Sequence, residues 1–109
     1  MERDDFFSAK VRSALTELLT GGMSTADYVA EKLGISKRTL QRKLLDEDTS
    51  FQKQLNSTRE LLAKNYLRNT DMSSDDIAFL LGYQEINSFL RAFNLWTGMS
   101  VSEYKRQQK

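Results

Sequence analysis

Cysteine, histidine and proline are all missing from this chain of 109 residues. Without thiols or imidazoles there is no thiolate chemistry, no imidazole base, no zinc-finger ligation and no disulfide framework. The lack of cysteine also fits a reducing compartment. Average proline usage of about 5% would give roughly five residues, so nothing here breaks a helix interior and no Pro-rich linker exists. No apolar run approaches the roughly 20 residues that span a bilayer. The acidic opening Met1-Glu2-Arg3-Asp4-Asp5 is no signal peptide. An excess of one charge is lacking too: 16 Lys+Arg against 15 Asp+Glu leave +1, with a pI of about 7.9. Nucleic-acid domains often lie above about pI 9, so the total charge counts against that class of partner.

What is present is a helix-forming chain, 39% hydrophobic and 28% charged, which is globular rather than disordered. Its length suits one compact unit, or two very small ones sharing a helix. The most informative stretch is Leu33-Gly34-Ile35-Ser36-Lys37-Arg38-Thr39-Leu40-Gln41-Arg42. Ala30 and Leu33 finish an apolar stripe at helical spacing, and Gly34 follows where a helix C-terminus favours positive φ. Ile35 plugs the turn, and Ser36 is placed to cap a second helix running to about Leu45. At about 100° per residue Leu40 and Leu44 face inward, while Arg38, Gln41, Arg42 and Leu45 share the opposite face. An Arg/Gln/Arg ridge on a helix propped by another suits bidentate reading of base edges in a major groove. Local charge supports this where the total does not. Lys37, Arg38, Arg42 and Lys43 fall in one helix, and Lys105, Arg106 and Lys109 cluster at the end, with acidic groups gathered elsewhere.

The rest of the chain reads as further helices. Asp5 to Leu19 carries Phe7, Val11, Ala14, Leu15 and Leu18 at helical period, and Gly21-Gly22 ends it. Ser24-Thr25-Ala26-Asp27 matches a capping box. The acidic trio Asp46-Glu47-Asp48 opposes the helix dipole and marks a stop. Ser50 opens a rod, Phe51 to Asn69, with Leu55, Leu62, Tyr66 and Leu67 on one side and a length of about 28 Å. A second capping box, Ser73-Ser74-Asp75-Asp76, leads into Ile77, Ala78, Leu80, Leu81 and Gly82. A helix from about Glu85 to Trp96 follows, with Phe89, Phe93 and Trp96 inward, and Ser100 to Glu103 opens a last short helix holding Tyr104.

The chain repeats itself. Gly34 and Gly82 stand 48 positions apart, as do Ala30 and Ala78, and Leu33 and Leu81. Beyond the turn the offset is 49, matching Leu40 with Phe89, Arg42 with Arg91 and Leu44 with Phe93. The expectation is an all-α fold of about seven helices: a first helix-turn-helix unit over 1–49, a linker helix over 50–70 and a second unit over 71–109. On the second reading helix Asn87, Leu90, Arg91 and Asn94 lie opposite the phenylalanines. Asn suits adenine, Arg suits guanine, and Ile86 and Leu90 invite thymine methyls.

Two such motifs on a shared helix resemble the DNA-binding domain of the AraC/XylS family of bacterial transcription regulators. The resemblance rests on Ala30-x-x-Leu-Gly-Ile-Ser36, Leu40-Gln-Arg42, Arg59-x-x-x-Ala63, Ile77-Ala78-x-x-Leu81-Gly82-Tyr83, Phe89-x-Arg91-x-Phe93 and Gly98-x-Ser100…Tyr104-Lys105. It implies sequence-specific binding of double-stranded DNA for transcription control. Arg38, Gln41 and Arg42 face bases in one major groove, and Ile86, Asn87, Ser88 and Arg91 in the next; Lys37, Lys43 and Ser36, with helix N-terminal N–H groups, serve phosphates. RNA polymerase is a further implied partner, and the setting is cytoplasmic. No cofactor and no metal are implied. Val101 stands where the family usually has Pro, Leu44 where Phe is commoner, and Arg38 where some members have an aromatic.

Among the remaining residues, Phe6-Phe7 read as packing and Asp75-Asp76 as capping. Arg59 reads as a tie between the rod and a neighbouring unit, and Arg91 as a base reader in competition with ion pairing to Glu85 or Glu103. The alternative function is a helical protein-interaction module, separated from the first reading by the salt dependence of DNA binding. An enzyme is disfavoured for want of nucleophile, base and metal ligands. Family members usually carry an N-terminal effector or dimerisation domain. The expectation is therefore either a member of the short, single-domain kind or a piece cut from a longer regulator, monomeric by itself, and the acidic opening before a full helix favours the second. The stiff rod, close to the 34 Å turn of a duplex, is expected to set the spacing of two half-sites and to bend the DNA between them.

Overall fold

The computed structural model describes residues 6–107, so that Asp5 and Lys109 of the readings above lie outside it. Among the described residues there are seven α-helices and no strand: α1 Phe7–Leu18, α2 Ala26–Leu33, α3 Lys37–Asp46, α4 Phe51–Asn69, α5 Ser74–Leu80, α6 Ile86–Thr97 and α7 Val101–Gln107. A single 3-10 turn, Leu19–Gly21, extends α1. No helix among them is long and apolar enough to cross a membrane. The residues divide into two compact units whose boundary, between Thr58 and Arg59, falls inside α4.

The first unit holds α1, α2, α3 and the start of α4. Its core is Val11, Ala14, Leu15, Leu19, Val29, Ala30, Leu40, Leu44 and Leu55, all buried. Leu18, expected inward, is only half-buried and Leu19 takes the core position. Leu19 stands four residues after Leu15 and eight after Val11, on the same face, so the stripe continues through it. The cap of α2 also differs from the expectation. Thr25, not Ser24, adopts the extended N-cap backbone and accepts from the Tyr28 N–H at 3.4 Å. Asp27 stands in the first turn, where its charge complements the helix dipole.

Two buried polar side chains in α4 carry no periodic signal. Gln54 accepts from Arg12 Nη1 at 2.7 Å and donates to Thr49 Oγ1 at 2.7 Å. Thr58 Oγ1 donates to the Gln54 carbonyl at 2.8 Å. Each is satisfied, which removes the penalty of burying an unpaired polar group.

The second unit is built from α4 after Thr58 together with α5, α6 and α7. Ala63, Leu67, Ile77, Ala78, Leu81, Phe89, Phe93, Val101 and Tyr104 form its core. Phe93 is the hub of an aromatic cluster, with ring centroids 6.0 Å from Phe89, 6.3 Å from Trp96 and 5.4 Å from Tyr104, the last edge-on. Such tilted contacts suit the ring quadrupoles better than face-to-face stacking. Arg59 acts here as a tie: its Nε donates to the Leu81 carbonyl at 2.8 Å and its guanidinium lies 4.2 Å above the Tyr83 ring. Helix α7 opens with a reciprocal box, in which Ser100 Oγ accepts from the Glu103 N–H at 3.1 Å and Glu103 Oε1 accepts from the Ser100 N–H at 2.9 Å. Val101, where the family usually has Pro, begins that helix as a buried residue.

The repeat read from the sequence recurs in the backbone. Ile35 N–H donates to the Ala30 carbonyl at 3.0 Å and Gly34 N–H to Glu31 at 3.1 Å; 48 residues on, Tyr83 N–H donates to Ala78 and Gly82 N–H to Phe79, each at 3.0 Å. Both are Schellman turns, which need a left-handed residue. Gly34 and Gly82 supply it at φ 74° and 85°. A Cβ at Gly34 would meet nothing within 4 Å, so its only penalty is backbone strain. Gly34→Ala is expected to destabilise the first unit by about 1–2 kcal/mol in urea unfolding. Gly21→Ala, at a position without positive φ, is the control and should stay within about 0.5 kcal/mol. Equal effects would mean that the turn conformation is not what selects glycine.

Candidate nucleic-acid interface

Helix α3 is set at its start by the Gly34 turn and by Ser36, whose backbone is extended and whose Oγ accepts from the Thr39 N–H at 3.1 Å. The same hydroxyl donates to Thr39 Oγ1 at 2.9 Å, so the Ser36 side chain is engaged in capping. Leu40 and Leu44 have 0% exposure and fix the inward face. Lys37, Arg38, Gln41 and Arg42 are exposed, and Leu45, on the same outer face, is 70% exposed. The ridge expected from helical period is therefore a real surface. Lys43 is exposed as well, but its Nζ lies 5.6 Å from the Phe7 ring centroid, leaning on α1 and away from the centre of the ridge.

The other end of α3 holds a feature that the sequence reading passed over. Glu47 closes the helix, and its carboxylate accepts from the Phe7 N–H (Oε2, 2.6 Å) and the Ser8 N–H (Oε1, 3.0 Å). These are first-turn donors of α1, which has no side-chain cap of its own. The acidic trio thus does more than end a helix. Asp48 adopts a left-handed φ of 59°, and its N–H and that of Thr49 return to Leu45 and Leu44 at 2.9 and 3.0 Å, another Schellman closure. No local signal could have revealed the Glu47 contacts, because the partners lie 40 and 39 residues away.

In the second unit Glu85 precedes α6 in an extended conformation, without a side-chain cap. Phe89 and Phe93 are fully buried. Asn87, Arg91 and Asn94 are exposed on the opposite side, whereas Ile86, Ser88 and Leu90 are half-buried flanks. Leu95 is 84% exposed beside them and was not singled out from the sequence. Among the described residues Arg91 makes no ion pair; the two pairs found there are Lys32–Glu17 and Lys64–Glu60. The Glu103 carboxylate, weighed as a partner for Arg91, is occupied by the Ser100 N–H instead. That hydrogen bond, opposed by slight burial and helped by the Ser100 hydroxyl and Arg106, holds the Glu103 pKa below its ordinary value. The two outer faces differ in charge. Four cations lie in α3 and one in α6.

The profile of the helix-turn-helix domain family matches residues 29–107. The chain belongs to the AraC-type helix-turn-helix family. An uncharacterised HTH-type transcriptional regulator of Mycobacterium tuberculosis is 38% identical over 106 residues, covering 97% of this chain and 30% of that protein. The ornithine utilization regulator of Pseudomonas aeruginosa is 36% identical over 85 residues, 78% of this chain and 25% of its own length. This AraC-type chain thus spans less than a third of these relatives. Among solved structures, the C-terminal domain of AraT, a response regulator from Geobacillus stearothermophilus, is similar at a TM-score of 0.82 and 27% identity, covering 97% of this chain and 88% of that one. The transcriptional regulator CdpR from Pseudomonas aeruginosa gives a TM-score of 0.69 at 34% identity over 75% of this chain and 26% of that one. The family and its relatives are transcription regulators rather than enzymes. An AraC-type domain is a sequence-specific DNA-binding domain for transcription control, and the protein-interaction alternative is not favoured.

Glu47 gives the first unit a pH dependence. Partial burial raises its pKa, but the Ser8 and Phe7 N–H groups, the Ser8 hydroxyl and the Arg12 charge outweigh it, and the net shift is downward from 4.5. A carboxyl whose pKa is depressed by folding stabilises above its unfolded value and loses that contribution as pH falls through its folded value. Glu47→Ala is expected to cost about 0.5–2 kcal/mol at neutral pH, as for loss of a helix cap. The gap between wild type and variant should narrow once pH drops below 4.5. A gap unchanged through the acid limb of urea-unfolding titrations would refute the assignment.

Proposed function

We propose that the chain reads duplex DNA with two helices in adjacent major grooves, as a monomer, and that its two faces read differently. On α3, Arg38 and Arg42 are suited to guanine O6 and N7 and Gln41 to adenine N6 and N7, with Lys37, Lys43 and Ser36 toward phosphates. On α6, Asn87 is suited to adenine, Arg91 to guanine, and Ile86 and Ser88 complete the contact at the first turn. The observation that carries this reading is the exposed Arg38/Gln41/Arg42 ridge opposite the fully buried Leu40 and Leu44. Solvated helix faces are commonly charged, but this one is nitrogen-rich, lacks ion-pair partners among the described residues and lies on the second helix of its motif.

With one cation against four, the α6 face supplies less electrostatic attraction and more of its contact through amide and apolar groups. The first unit is thus the main source of affinity, and the second refines the choice of site. In a longer regulator of the kind this chain is similar to, an N-terminal effector or dimerisation domain and contact with RNA polymerase would complete the activity.

Arg42→Ala is expected to weaken binding to the preferred site by about 1–3 kcal/mol and relax choice at one base pair. Lys37→Ala should instead weaken all sequences alike and bring the slope of log K against log salt, roughly −4 to −5 for wild type, about one unit closer to zero. Fluorescence anisotropy titrations on preferred and scrambled duplexes, at several salt concentrations, measure both. An equal loss on both duplexes for Arg42→Ala would make it a phosphate contact, and a slope near zero for wild type would remove the DNA reading.

A further inference from the structure

The ridge on α3 is useful only if its rotation about the helix axis is fixed. Side chains reach about 5–6 Å from that axis, so a roll of about 10° displaces their ends by about 1 Å, and a binding constellation tolerates only about 0.5 Å. The two fully buried residues of α3, Leu40 and Leu44, lie one turn apart on one face. They hold the helix to the core but are a narrow hinge against rolling. The N-terminal end has its own restraints at Gly34 and Ser36.

At the C-terminal end the restraint comes from α1. Lys43 and Glu47, four residues apart and so on one side of the chain's helical path, both engage Phe7. Lys43 lies against its ring at 5.6 Å, and Glu47 takes its N–H at 2.6 Å together with that of Ser8 at 3.0 Å. A second tie runs beside it, from Arg12 of α1 through Gln54 to Thr49, the residue that follows the α3 closure. Helix α1 carries none of the proposed readers, yet the end of the reading helix is fastened to it by side chains from both.

We propose that Glu47 is a positioning residue for DNA reading: by fastening the C-terminal end of α3 to the first turn of α1, it sets the angle at which Arg38, Gln41 and Arg42 meet the bases. This rests on the reading of α3 as a base-reading helix. It assigns to Glu47 an influence on specificity without contact with DNA. It also gives the exposed Lys43, alongside its proposed phosphate contact, a place in the same clamp through the Phe7 ring.

The test compares two variants that each lose one cap in the first unit. Glu47→Ala opens the clamp; Thr25→Ala removes the N-cap of α2 and leaves the clamp intact. Affinities for the selected and a scrambled duplex are measured at a temperature where circular dichroism shows every variant fully helical. The selected-to-scrambled ratio is expected to fall about fivefold or more for Glu47→Ala, the low end of what losing one base contact costs. For Thr25→Ala the ratio should stay within about twofold of wild type, the range of a surface change away from the site. An unchanged ratio for Glu47→Ala, or an equal fall for both variants, overturns the proposal while leaving wild-type DNA reading intact. A wild-type ratio near one overturns the DNA reading itself, and the proposal with it. If Glu47→Ala does not fold, Glu47→Gln, which keeps the shape and one acceptor but not the charge, is judged by the same ratio.

Discussion

The structure depends on how its helix ends are satisfied. Apart from α4 with 19 residues, the helices have between 7 and 12, lengths at which an isolated helix is marginal in water. Each end leaves backbone groups that need partners, and with helices this short those ends are a large share of the backbone. Ser36, Ser73 and Ser100 accept from the N–H three residues on, Gly34 and Gly82 close their helices in the left-handed region, and Glu47 supplies α1 from afar. These polar closures fix where each helix begins and stops. The buried leucines and phenylalanines then fix which face turns outward. The exposed Arg38/Gln41/Arg42 ridge is the remainder after both requirements are met.

The two units solve the same packing problem with different side chains. Leu40 and Leu44 in one correspond to Phe89 and Phe93 in the other, and the aromatic pair recruits Trp96 and Tyr104 into a cluster that the leucine version lacks. The tie from Arg59 to the Leu81 carbonyl and the Tyr83 ring is another device of the second unit. There, burial raises the Tyr83 pKa against the lowering effect of the Arg59 charge and hydrogen bond, so the phenol stays neutral beneath the cation. Like scaffolds thus carry outer faces of unlike charge, which suits a shared mode of docking with different target bases.

Much of this was legible because the signals are local. A glycine after an apolar stripe and a serine before the next helix identify both turns. The bounds of α4, read as Phe51 to Asn69, are those observed. The departures have two causes: a choice between two equivalent neighbours, or a deciding partner far away along the chain. Ser24 and Thr25 are both competent caps, and only the backbone conformation selects Thr25. Leu18 and Leu19 are chemically the same, and the wheel position relative to Val11 separates them. Gln54 and Thr58 read as a polar face, yet they are buried because Arg12, Thr49 and a backbone carbonyl satisfy them. Glu47 looked like a helix stop, since nothing nearby announces the two α1 amides. Of the proposed contact residues, Arg38, Gln41, Arg42, Asn87 and Arg91 are exposed as their period implied, while Ile86 and Ser88 are half covered.

The central claim is that one chain reads two separate stretches of duplex through two unlike faces. Selection from a pool of random duplexes, carried out with the chain itself, tests it most directly. The account predicts enriched sequences with two constrained blocks whose centres lie about one helical turn, roughly 10 base pairs, apart. It also predicts that the blocks differ in sequence. A single constrained block, two identical blocks, or a pool indistinguishable from its input would contradict it.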